Sequence, residues 1–320
     1  AKARSLNGDV TGAEAAYTKT LELAPNYAAV QWAVGNFLLR QGKTDEGFAL
    51  AAKAASADPL FSPAAVNTAL QIFDGDVAEV RRVLGDSETT NAALTTALAA
   101  GERFEESYEA WSKLPAQNRS TEQKKLGEAL AEKMAAASKF RLASRITADL
   151  QTVETDKPVI GQIANGSFEN EVKQKGANRF EWRIAEGGEP QIGLSDSQKR
   201  SGKFGLFILF NTIQSNDFRT ISQTVAVEPG ARYELGLFYR SDLTTAAIFK
   251  WEIADAATSA AVASTPPMIL AGDWATLKTV FTVPDTVDGI IVRLAREGCG
   301  GPACRVSGRL SFDDFSLRRL

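Results

Sequence analysis

The chain has 320 residues, 44% of them hydrophobic, enough apolar material for two ordinary cores and more than one core of common size uses. Its 36 basic and 39 acidic residues leave a net charge of −3, so no global field favours a polyphosphate partner. Histidine is absent, which excludes a Ser-His-Asp triad, a Cys-His dyad and histidine-ligated zinc.

The first half reads as helix pairs. Gly8 and Gly42 lie 34 residues apart, as do Pro25 and Pro59. On that spacing the stretch from Gly8 to Tyr17 falls over the stretch from Gly42 to Ala51, with small residues where paired helices must approach closely. This segment resembles tetratricopeptide repeats. Trp32, Gly35 and Leu38, followed by Ala51, Ala54 and Pro59, fit the small and large core positions of that family. The period then drifts into further pairs: Pro63 to Phe73 with Val77 to Leu84, Thr89 to Ala99 with Phe104 to Leu114, and Thr121 to Ala137 with Phe140 to Leu150. Gly75, Gly101 and Pro115 punctuate them. The resemblance implies stacked helices whose concave face holds a peptide or a partner's helix, with no catalysis. Trp32, Tyr108 and Trp111 read as core, and the basic residues from Lys124 through Arg141 to Arg145 as a solvated face. No apolar run reaches the roughly 18 to 20 residues of a membrane span. The chain opens just ahead of a helix-turn signal, from which an upstream leader or anchor is expected.

Helical periodicity ends at Leu150, and Pro158 breaks what remains. Residues 1–150 are therefore assigned to the helical repeats, 151–158 to a linker and 159–320 to a second domain. Apolar runs there recur between Gly, Pro and Asp punctuation, at Phe204 to Phe210, Ile221 to Val227, Tyr233 to Tyr239, Ile248 to Ile253, Leu277 to Val283, Ile290 to Leu294 and Val306 to Leu317. That rhythm predicts an all-β sandwich. Asn165-Gly166-Ser167-Phe168-Glu169 opens the segment and Phe312-Asp313-Asp314-Phe315-Ser316-Leu317 closes it. Between them lie Trp182, Ser201-Gly202-Lys203, Pro229-Gly230 and Trp274. In order and separation these pieces resemble carbohydrate-binding modules with a galactose-binding-like jelly roll. The expected fold is all-α tetratricopeptide-like repeats followed by an all-β jelly-roll sandwich.

The resemblance implies that acidic residues from the first and last strands share a structural calcium. Glu169 and Asp313 are the first candidates, with Asp314 as substitute, because adjacent strand residues face opposite sides. The same carboxylates also read as solvated or edge-protecting groups. Sugar binding needs aromatic faces flanked by hydrogen-bonding side chains. The candidates are Trp251 and Phe249 on one face of a strand, Tyr239 with Arg240 on the preceding strand, and Trp182 and Trp274 near loops. Each also reads as core packing or a loop anchor. Cys299 and Cys304, the only cysteines, flank a Gly-Gly-Pro-Ala loop and read as a local disulfide in an oxidising compartment, or as a reduced pair in the cytosol.

These readings predict a non-catalytic adaptor of bacterial type, periplasmic, secreted or otherwise at the cell envelope. Its repeats would bind a protein or peptide and its sandwich a polysaccharide. The alternative is a structural assembly protein whose sandwich has no sugar site. Aromatics exposed in a cleft favour the first and wholly buried aromatics the second. A glycoside hydrolase is disfavoured, since Asp313 and Asp314 are adjacent and point to opposite sides.

Overall fold

A computed structural model describes residues 1, 3–4, 7–213, 218–298 and 304–320. The chain forms two compact units, residues 1–126 and 127–320.

The first unit is helical. Helices α1 (Val10–Leu23), α2 (Ala28–Arg40), α3 (Thr44–Ala57), α4 (Ser62–Ile72), α5 (Val77–Leu84), α6 (Glu88–Ala100) and α7 (Phe104–Ser112) follow one another with short connections, and a single-turn α8 (Ala116–Arg119) comes last. One turn geometry recurs at the joints. Gly8 and Gly42 take the left-handed conformation, at φ 80° and 76°. Lys43 N–H closes the turn on the Leu38 carbonyl at 3.0 Å, as Arg103 N–H does on Leu98 at 2.9 Å. At the latter joint the left-handed residue is Glu102, one position beyond Gly101, where the sequence suggests it. Between α2 and α3 the backbones nearly touch. A Cβ on Gly35 would sit 2.8 Å from the Gly47 carbonyl oxygen, so only glycine fits there. Caps set the helix starts: Asp76 accepts from Ala78 N–H (2.8 Å) ahead of α5, and Ser87 from Thr90 N–H (3.2 Å) ahead of α6. Trp111 is fully buried, Trp32 packs on Phe61, and Tyr108 is half-buried.

The second unit is a two-sheet sandwich carrying a helix pair. Helix α9 (Lys124–Ala136) crosses the division between units, and α10 (Phe140–Leu150) lies within the second. The strands are β1 (Arg183–Ile184), β2 (Gln191–Ser195), β3 (Gly205–Ile213), β4 (Ile221–Ala226), β5 (Arg232–Ser241), β6 (Thr244–Thr245), β7 (Ile248–Asp255), β8 (Ala261–Ser264), β9 (Ala271–Thr282), β10 (Gly289–Glu297) and β11 (Val306–Arg319). One sheet has the order β1-β4-β10-β7-β8, the other β2-β3-β11-β5-β9 with β6 also on β11. Every pairing is antiparallel. The seven runs expected from sequence are all strands. The four short ones, β1, β2, β6 and β8, carry too few apolar residues to announce themselves.

The inward faces of both sheets meet in one core that includes Leu206, Leu235, Trp251, Val292, Leu310 and Phe312. Part of the outer face of the five-stranded sheet, at β4 and the start of β10, is covered by α10. Phe140 of α10 packs on Gly289, where a Cβ would stand 2.5 Å from the ring. Arg141 pairs with Asp288 and, at 2.7 Å, with Glu228, and Glu132 of α9 reaches Arg179 at 3.1 Å. Hydrogen bonding to Asp288 raises the Arg141 pKa, outweighing its desolvation. Thr224 and Ala226, which alternate outward on β4, are buried as a result. Arg141 is thus a packing residue and not part of a solvated basic face.

Candidate functional site

Among the described residues, no helix of its own unit lies on the outer face of the six-stranded sheet. On β5, Tyr233, Leu235, Leu237 and Tyr239 point into the core, which turns Phe238 and Arg240 outward, both half-buried. On β3 the same alternation buries Leu206 and Ile208 and leaves Phe207 and Leu209 partly exposed. Strand register carries one row across the sheet. Gly193 pairs with Phe207, Phe207 with Ser311, and Ser311 with Arg240. Gly193 has no Cβ because one would press on the Phe207 ring at 3.1 Å. Beyond Arg240 the half-buried Trp274 of β9 closes the row, its ring centre 6.0 Å from the Arg240 guanidinium.

The loop between β2 and β3 forms one wall. Arg200 lies over the Phe238 ring at 3.6 Å, close enough for a cation–π contact, and its Nη1 donates to Asp314 at 2.6 Å. Ser311 donates to the Gln198 side-chain oxygen at 3.4 Å. Gln198, Arg240, Asp242, Gly272, Arg309 and Ser311 line a pocket at this point. Half-exposed rings beside amide, hydroxyl and guanidinium donors supply both parts that sugar recognition needs, an apolar face and groups for hydroxyls.

The sugar-stacking residues expected from sequence lie elsewhere. Trp251 is completely buried, with ring contacts to Trp182, Phe312 and Phe315 at 5.8, 5.3 and 4.7 Å. Phe249, Tyr239 and Trp182 are buried as well, so none of the four presents a ring to a ligand. Trp182 donates its Nε1–H to the Asn165 carbonyl (3.1 Å). Of the sugar-binding candidates read from the sequence, only Arg240 and Trp274 reach the surface. Strand alternation separates Arg240 from Tyr239, and it selects Phe238 as the outward ring on β5, a residue that sequence reasoning passed over together with Phe207, Arg200 and Gln198.

The three carboxylates proposed for calcium are occupied by hydrogen-bond donors. Asp313 is fully buried. Its Oδ2 accepts from the backbone N–H groups of Arg200 (2.8 Å) and Ser201 (3.1 Å), and its Oδ1 from Asp314 N–H (2.8 Å). Burial pushes its pKa up, against the opposing pull of these donors. Asp314 accepts from Arg200 and, at 2.9 Å, from the Ser201 hydroxyl. Glu169 accepts from Lys203 N–H at 2.9 Å and Phe204 N–H at 3.3 Å. Calcium requires six to eight oxygens facing the ion, whereas these carboxylates face N–H and O–H protons. Among the described residues no three acidic or cysteine side chains converge. The arrangement does not fit a calcium shell; it clamps residues 200–204 between the opening segment of the sandwich and its last strand. Cys299 lies outside the described residues, and so does the expected pairing; Cys304 is buried, with its carbonyl accepting from Arg296 at 2.7 Å.

No protein-family model and no curated protein matches the sequence. Solved structures do, with carbohydrate-binding modules among them. A family 4 module is 17% identical over 49% of this chain and 99% of its own, with a TM-score of 0.38. TmCBM61, solved with β-1,4-galactotriose, is 16% identical over 49% of this chain and 96% of its own, at TM-score 0.34. The CBM22-1 xylan-binding domain of Paenibacillus barcinonensis Xyn10C is 15% identical over 48% of this chain and 90% of its own, at TM-score 0.32. Among the described residues no helix is long and apolar enough to cross a membrane.

Proposed function

We propose that the protein is a non-catalytic adaptor that binds a glycan on the open face of the six-stranded sheet. The observation that carries this reading is the half-exposed set Phe207, Phe238 and Trp274 beside Arg240 and Gln198, on the outer face of the six-stranded sheet, where among the described residues of the unit the β2–β3 loop lies along one side and no helix does. The helical unit is read as tetratricopeptide-like and as the seat of a protein or peptide partner. Support comes from the recurring left-handed turn and the Gly35–Gly47 approach. An envelope or extracellular location and a Cys299–Cys304 bridge belong to the same reading, and mass spectrometry without reduction tests the bridge. For the glycan, affinity electrophoresis of the whole chain through polysaccharide gels should show retardation that weakens several-fold in Trp274→Ala and Phe238→Ala, as loss of a stacking ring entails. Free migration of the wild-type chain through every gel would refute it.

A second reading, a structural assembly protein without a sugar site, draws on the burial of Trp251, Tyr239, Phe249 and Trp182. It predicts that Trp274→Ala and Phe238→Ala are without effect on any saccharide interaction.

A further inference from the structure

We infer that the glycan recognised on this face carries carboxylate groups, and that Arg240 is the residue that reads them. The inference rests on the glycan-binding reading and adds the ligand's charge.

Most charged groups of the face have a partner: Lys278 and Arg318 share Glu234 at 3.6 and 3.0 Å. Arg200 is engaged by Asp314 at 2.6 Å. Arg309 faces Asp242 at 3.6 Å, and its backbone N–H also donates to that carboxylate. Asp313 and Glu169 are taken up by backbone donors. Arg240 remains. Among the described residues no carboxylate pairs with it; its Nε donates to the Gly272 carbonyl at 3.0 Å, and Trp274 flanks the guanidinium. The Nε bond and the ring fix the guanidinium plane and leave the terminal nitrogens for a ligand. Arg240 also lines the pocket floored by Ser311.

A guanidinium held in one plane with its terminal N–H pair free matches a carboxylate bidentately, and does so better than it matches a single hydroxyl. Trp274 beside it offers a ring to the apolar side of the same sugar. With Asp242 and Asp314 both engaged, Arg240 is a cation that no carboxylate among the described residues pairs with, and a neutral glycan would leave it so. A chain of uronic acids supplies both a pyranose face and a planar anion at each residue.

The test uses the whole chain and calorimetric titration at low salt. The probes are oligogalacturonides, the same oligomers fully methyl-esterified, dextran sulfate, dextran and xylohexaose. Oligogalacturonides should bind at least about tenfold more tightly than their methyl esters, the scale of one charge-assisted contact, and added salt should narrow the gap. Arg240→Gln should abolish the preference. Lys53→Gln, an equal loss of charge on the helical unit, should preserve it. Arg309→Gln, which removes one of the groups holding the Asp242 carboxylate beside the pocket, should also reduce it; this second variant decides the matter if Arg240→Gln does not melt cooperatively. Equal affinity for acids and esters, or for xylohexaose, overturns the inference and leaves the glycan reading standing. Binding of dextran sulfate without oligogalacturonides overturns the carboxylate assignment. Failure of every saccharide to bind overturns both.

Discussion

Trp251 and Trp274 stand on neighbouring regions of one sandwich and differ in the side of the strand they occupy. Trp251 is completely buried among Trp182, Phe312 and Phe315, so Trp251→Ala should cost about 3–5 kcal/mol in urea denaturation. Trp274→Ala, at a half-exposed position, should change stability by less than about 1 kcal/mol while weakening glycan retention. Equal losses of stability would show that the inside and outside of β9 have been exchanged. The distinction was legible in part. Lys250 and Glu252 alternate with Phe249, Trp251 and Ile253, so the charged face of β7 must point outward and the aromatic one inward. The same rule applied to β5 puts Tyr239 inside and Phe238 outside, but either assignment is consistent with the sequence, since both residues are aromatic. Asp313 offers a test by pH. Burial raises its folded pKa above the ordinary 3.8. A raised folded pKa gives a stabilising contribution that is fully present below the unfolded value and lost as pH rises through the folded one. Asp313→Asn cannot titrate, so the melting temperature of the wild type relative to this variant should rise as pH falls from about 7 towards about 4. A difference that is flat or reversed over that window would contradict a folded pKa raised by burial.

At the level of elements, the ends of the sandwich are joined by hydrogen bonds where the family resemblance suggested an ion. Asp313 on β11 and Glu169 in the opening segment both hold the turn at residues 200–204 through its backbone N–H groups. Melting curves of the whole chain in calcium and in chelator should therefore superimpose; a rise of several degrees with calcium would mean that the carboxylates exchange these donors for metal. The two acidic motifs were plain in the sequence, and their meeting across the fold was what the family resemblance implied. What they hold was not, because a carboxylate signals demand for positive charge or protons without saying which. The helix–sheet joint is a second element-scale test. Gly289→Ala drives a Cβ to 2.5 Å from the Phe140 ring and should destabilise the second unit by about 1–3 kcal/mol. Phe140→Ala in the same chain should make the glycine substitution nearly neutral, a coupling that a double-mutant cycle measures. Additive losses would separate the two residues.

Across the whole molecule, secondary structure and packing divide the chain at different places. Periodicity changes from helix to strand after Leu150, as the sequence indicates, yet the compact units part between residues 126 and 127. The reason is that an amphipathic helix reveals which face it buries but not what it is buried against. Phe140, Ala143 and Ile146 give α10 an apolar face whatever its partner is, and that partner is the outer face of β4 and β10, with Arg141 fastened to Asp288 and Glu228. Cutting the chain at residue 159 removes Phe140, uncovers Thr224, Ala226 and Gly289, and leaves two carboxylates without their arginine. Cutting at 127 keeps all of these. A fragment of residues 127–320 should therefore unfold cooperatively with the midpoint its transition has in the whole chain, whereas 159–320 should be less stable by at least about 2 kcal/mol, on the scale of losing one buried aromatic contact. Urea denaturation of the two fragments beside the whole chain decides it. If both fragments share one midpoint, the helix pair is an accessory to the sandwich; if 127–320 alone keeps the whole-chain value, the β-sandwich depends on two helices that the sequence assigns to the other half.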